Sequence, residues 1–97
     1  IVPEMTHHPD YDKALAAARG WVAAAARSAG LPDDWILWKS APGPALAALK
    51  GLAFVHLRCG EPVQAEAMIR RVIALDPHDA VGGSVVAALL DETRLTA

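Results

Sequence analysis

The stretch that most constrains this chain is Ala45–Pro77, "ALAALKGLAFVHLRCGEPVQAEAMIRRVIALDP". It holds two runs whose apolar residues recur at three- and four-residue steps, split by Gly60 and stopped by Asp76-Pro77. That period puts the apolar side chains on one face of a helix. Gly60 can take the left-handed conformation that ends a helix, and Pro62 suits the first turn of the next one. Pro77 disfavours helix at Asp76. The spacing therefore predicts a helix over Ala45–Arg58, a tight turn, and an antiparallel helix from Pro62 or Val63 to Leu75. On the second helix Ala65, Met68, Ile69, Val72 and Ile73 make the apolar stripe, while Gln64, Glu66, Arg70 and Arg71 face away.

The flanks extend the pattern. Asp10–Ala29 reads as a first helix with Tyr11, Leu15, Ala18, Val22, Ala25 and Ala29 on one face. Gly20 sits inside it, at a cost of about 1 kcal/mol against alanine unless a neighbouring backbone needs the room. Gly30 and Pro32 end that helix. "DDWILWKS" predicts a short helical turn with an aspartate cap, and "SAPGP" (Ser40–Pro44) is the clearest breaker. A last helix is expected from near Asp79 to near Arg94, with Val85, Val86, Leu89 and Leu90 on its buried side. β-Branched residues are scarce and nothing alternates with period two, so the fold class is all-α, with about four main helices.

Composition limits what such a bundle can do. At 97 residues the chain forms one domain with a thin stability margin. Hydrophobic residues make up 54% of it, but 21 of them are alanines, which favour helix more than they add buried area. The net charge is -2 and no basic cluster occurs, which argues against a nucleic-acid or anionic-membrane partner. No apolar run approaches the ~18–20 residues that span a bilayer. With Cys59 the single cysteine and no signal-peptide pattern at the start, the cytoplasm is the expected compartment. Ile1–Glu4 precede Met5, a candidate start residue, and residues 1–9 read as a mobile tail.

Leu49–Pro77 resembles one tetratricopeptide repeat, a helical hairpin of about 34 residues. Leu49 and Leu52 resemble its first-helix apolar positions, Ala53 its small position, and His56 the place usually held by tyrosine. Gly60-Glu61 resembles the turn, Ala65 the small contact residue of the second helix, and Leu75-Asp76-Pro77 the close. Ile69 and Val72 continue the packing stripe. Pro62 and Val72 depart from the pattern, where an aromatic and an alanine are usual. "DYDKALAAAR" (Asp10–Arg19) resembles the start of a repeat's second helix and Gly82–Leu90 the first helix of a following one. The resemblance implies a degenerate half-repeat over residues 10–38, a full repeat over 45–77 and a closing helix over 79–95. Ala53 and Ala65 would let the hairpin helices approach closely.

Catalytic and metal-ligating patterns are weak. His7, His8 and Asp10 are chemically suited to a divalent metal, but a structural site needs four placed ligands. His56 and Cys59, three apart on one helix, have no third group to complete a metal site or orient the histidine. "VGGS" (Val81–Ser84) lacks the lysine and spacing of a phosphate loop. Asp33-Asp34 and Asp91-Glu92 are sequence neighbours, which do not converge on a helix. Trp21, Trp35 and Trp38 either fill the core beside the first helix or act as interface anchors, where tryptophan is enriched.

The expected function is thus a non-catalytic, cofactor-free adaptor or chaperone that holds a helix or extended peptide of a protein partner. In size and economy of repeats the chain is similar to small bacterial type III secretion chaperones. The partner-binding residues would be Trp21, Trp35, Trp38, Val85 and Leu89. Two alternatives stand beside this reading: a homodimeric structural module whose second copy covers the missing repeat surfaces, and a small metal- or thiol-dependent enzyme using His56 and Cys59.

Overall fold

The structure is a computed structural model that describes residues 9–96. Among them are four α-helices, one 3₁₀ turn and no strand. The order is α1 (Pro9–Ala29), the 3₁₀ turn (Trp35–Leu37), α2 (Gly43–Arg58), α3 (Pro62–Leu75) and α4 (Gly83–Thr96). α2 and α3 form the central hairpin, α1 packs on α2, and α4 packs on α3 and α2. This is the all-α hairpin bundle that the apolar spacing predicts.

The hairpin turn follows from Gly60, which has φ +77°. Its N–H donates to the Leu57 carbonyl at 3.1 Å, and the Glu61 N–H reaches back to the His56 carbonyl at 2.9 Å. This paired closure satisfies the orphan carbonyls of α2, and the left-handed residue within it is cheapest as glycine. Leu49, Leu52, Ala53 and His56 of α2 are buried, as are Ala65, Met68, Ile69 and Val72 of α3. Ile73, expected on the same stripe, is exposed. Pro77 is also exposed, so it stops α3 without packing in the hairpin.

Two helix starts differ from the sequence expectation. α2 begins at Gly43, inside the Ser40–Pro44 breaker, because proline is tolerated in a first turn and Pro44 sits there. α4 begins at Gly83, four residues after the expected Asp79, because two carboxylates hold the intervening chain as a loop. Asp76 accepts the Ala80 and Val81 N–H groups at 3.0 and 2.9 Å. Asp79, at φ +54°, accepts from the N–H and the hydroxyl of Ser84. Lys50 Nζ donates to the Val81 carbonyl at 2.7 Å, which ties this loop to α2. Gly83 lets α4 approach α3 closely: a Cβ there would stand 3.0 Å from Val72 Cγ1.

α1 buries Leu15, Ala18, Val22 and Ala26 against the core, with Tyr11 and Ala25 at its edge; Ala29 is exposed. Gly20 has nothing within 4 Å of where its Cβ would stand, so no neighbouring backbone requires it. Trp38 is 1% exposed and belongs to the core. Its indole N–H donates to the Pro32 carbonyl at 2.8 Å, and its own carbonyl accepts from Arg71 at 3.3 Å. Trp38 is therefore unavailable as a partner anchor: its large apolar ring and its N–H are both already satisfied inside the fold.

Candidate partner groove

α4 turns Val86 and Leu90 inward, while Val85 and Leu89 are exposed. These two lie off the buried stripe, which α4 turns mainly toward the α2–α3 hairpin. Leu89 instead lines a groove of about 320 Å³ together with Phe54, Leu57 and Arg58 of α2 and Glu92 and Thr93 of its own helix. The Arg58 guanidinium stands 6.0 Å over the Phe54 ring, at the outer limit of a cation–π contact. The groove thus combines apolar side chains from two helices with one basic and one acidic residue.

α4 is also tied to α3 by Glu66. Its carboxylate binds Arg94 of α4 and, four residues along its own helix, Arg70 at 2.8 Å. The hydrogen bond from Arg94, and then Arg70, holds the Glu66 carboxyl below its ordinary range, and the same contact raises Arg94. The cluster is exposed, so its contribution is mostly to orientation.

The other anchors expected from sequence are dispersed. Trp21 is 63% exposed on α1 and lines none of the three grooves described here. Trp35 is half-buried and borders two clefts. One, of about 470 Å³, has Ile36 and the α3 residues Ala67, Arg70, Arg71 and Ala74 as its other walls. The second, of about 350 Å³, is formed with Arg19, Val22, Ala23, Asp33, Leu52, His56 and Met68. Sequence reasoning named Leu89 as a partner residue while placing it on the buried side of α4, and did not name Phe54, Leu57 or Arg58. The available signal was the i, i+4 pair Phe54/Arg58 on α2, off the stripe that Leu49, Leu52, Ala53 and His56 define.

His56 is not hydrogen-bonded to Cys59; contrary to the sequence expectation, an acid, Glu61, does orient its ring. His56 Nδ1 lies 2.8 Å from Glu61 Oε1, across the turn that Glu61 also closes through its backbone. Cys59 is buried, and burial, followed by the charges of Glu61 and Asp12, pushes its thiol up. Such a thiol is a poor nucleophile at neutral pH. Among the described residues no group of three or more His, Cys, Asp or Glu side chains is placed to hold a metal. His7 and His8 lie outside the described residues. Among the described residues no helix is long and apolar enough to cross a membrane. Comparison with protein-family models, with curated proteins and with solved structures finds no match.

Proposed function

We propose that this chain is a non-catalytic protein-binding module, an adaptor or chaperone, that holds a partner segment along the α2–α4 groove. The observation that carries the reading is Leu89, exposed with Phe54 in a groove built from two helices. Exposed apolar side chains grouped between helices are suited to an amphipathic helix or an extended segment with regularly spaced anchors. The tetratricopeptide-like reading of Leu49–Pro77 supports the same use, since α2 and α4 would be the first helices of successive units. The finer assignment, a chaperone for bacterial export substrates, rests on size and economy of repeats. The test places a photo-crosslinking residue at position 54 and identifies the captured segment by mass spectrometry. Leu89→Glu should abolish capture without lowering the melting temperature. Capture unaffected by Leu89→Glu refutes the groove.

A second reading, self-association, is favoured by exposed Trp21 on α1, together with Ile36 and Leu37 of the 3₁₀ turn. Large apolar side chains in solvent are often partner surfaces. Sedimentation across a wide concentration range should then show a mass increase that Trp21→Gln removes. A strictly monomeric parent protein rules this reading out.

A further inference from the structure

His56 is 4% exposed, yet only one of its ring nitrogens is used by the fold. The Glu61 carboxylate beside Nδ1 can only accept, so Nδ1 carries a proton and, in the neutral ring, Nε2 presents a lone pair. No described group bonds to Nε2, although every buried side-chain nitrogen or oxygen among the described residues has a partner. Nε2 therefore keeps some contact with solvent, and His56 lines a cleft of about 350 Å³ between α1, the 3₁₀ turn, α2 and α3. Val22, Leu52 and Met68 give this cleft apolar walls and Trp35 adds an aromatic one. Arg19 and Asp33, both exposed, stand at its rim with opposite charges. The ion pairs that brace the fold join other groups, Glu66 to Arg70 and Arg94.

We propose that this cleft binds an aromatic group with one hydrogen-bond donor at its tip, an indole or a phenol, donating to His56 Nε2. The volume lies in the range of small-ligand pockets, which combine apolar walls with a few placed polar groups. Apolar walls favour a ring, but a ring that covered Nε2 without bonding it would strand a buried acceptor. Plain hydrocarbons are thereby selected against, and a ring bearing N–H or O–H is selected for. The same chemistry can arrive as a free aromatic amino acid or as a Trp or Tyr side chain of a partner. Arg19 and Asp33 distinguish the two sources: a free amino acid offers them a carboxylate and an ammonium, and a residue inside a polypeptide offers neither. This site is separate from the α2–α4 groove and does not rest on the function proposed for it.

The test titrates the ¹⁵N-labelled full chain with indole, 1-methylindole, tryptophan and N-acetyltryptophanamide, and follows the His56 ring nitrogens and the backbone amides by NMR. Indole should bind saturably, with shifts at Val22, Leu52, Met68 and the His56 Nε2 resonance. 1-Methylindole, which lacks the donor, should bind ~5–10-fold more weakly, the factor expected from one neutral hydrogen bond. Tighter binding of tryptophan than of N-acetyltryptophanamide names a free amino acid; equal binding names a partner side chain; either supports the site. Ala23→Leu, which fills the cleft from α1 and leaves His56 in place, should abolish binding with the melting temperature retained. Absence of saturable shifts, equal affinity for indole and 1-methylindole, or undiminished binding by Ala23→Leu overturns the proposal.

Discussion

Trp38 provides the sharpest check on how α1 and the 3₁₀ turn are held to the hairpin. Its side chain is among the largest that are fully buried, and its N–H is bonded to the Pro32 carbonyl at 2.8 Å. Trp38→Ala removes the ring and leaves a cavity, a change that costs about 3–5 kcal/mol in well-packed cores. A domain of this size has about 5–15 kcal/mol in total, so roughly a fifth or more of the stability goes with one side chain. At ~4–8 °C per kcal/mol the melting temperature should fall by at least ~12 °C. Trp38→Phe keeps most of the ring but loses the donor. Pro32 is exposed, so water can replace the indole at its carbonyl, and the loss from the hydrogen bond should stay near ~1 kcal/mol. Urea unfolding followed by far-UV circular dichroism gives both values, with an unchanged slope showing that the unfolded state is the same. If Trp38→Ala costs under ~1 kcal/mol, the ring is not part of the core and the corrected placement of this residue fails.

Other substitutions test other parts of the fold. Ala65 is fully buried between the hairpin helices, so Ala65→Leu should overpack them and cost ~1–3 kcal/mol by the same unfolding assay; an unchanged midpoint refutes close approach there. Gly20→Ala should stabilise by ~0.5–1 kcal/mol, since the helix gains propensity and the added methyl meets nothing; a loss of stability would refute that reading of the site. The Asp79 carboxyl is held below its ordinary value of 3.8 by the Ser84 hydroxyl and then the Ser84 N–H. A carboxyl lowered in the folded state stabilises fully above its ordinary value, and that contribution is lost as the pH falls through the lower folded value. Asp79→Asn tolerates the positive φ, so it should destabilise at neutral pH and become indistinguishable from the parent in strong acid. A destabilisation independent of pH would refute the role of the charge.

The helices were legible in the sequence wherever local chemistry sets them. α3 starts and stops at its two prolines, and the α2–α3 turn follows from one glycine that only needs its neighbours' carbonyls. Errors arose where side chains act at longer range. Asp79 resembles a cap from its position, but Asp76 and Asp79 each bond backbone groups four or five residues ahead, which delays α4 to Gly83. The tryptophans could not be sorted because periodicity does not report which side of a short turn faces α3. Trp38 is fixed by Pro32 and Arg71, six and thirty-three residues away, and neither contact leaves a local signature. Val85 and Leu89 differ from Val86 and Leu90 only by rotation about α4, and that choice depends on where the hairpin lies.

α2 carries both proposed sites, which raises the question of whether they act as one. At ~100° per residue, Leu52 and His56 project to one side of α2, and Phe54 and Arg58 project roughly 160° away from them. The aromatic cleft is completed by α1 and α3, the groove by α4, so no lining residue is shared. Coupling would then have to pass through α2 itself, and a packed helix with no alternative arrangement transmits little. Residues without shared partners usually perturb a protein independently, within about 0.3–0.5 kcal/mol. Leu89→Glu should therefore leave the affinity for indole within roughly twofold of the parent. Ala23→Leu, conversely, should leave capture at position 54 intact. If Leu89→Glu weakens indole binding severalfold at unchanged melting temperature, the two openings are linked, and α2 must shift between arrangements that a single packed hairpin does not provide.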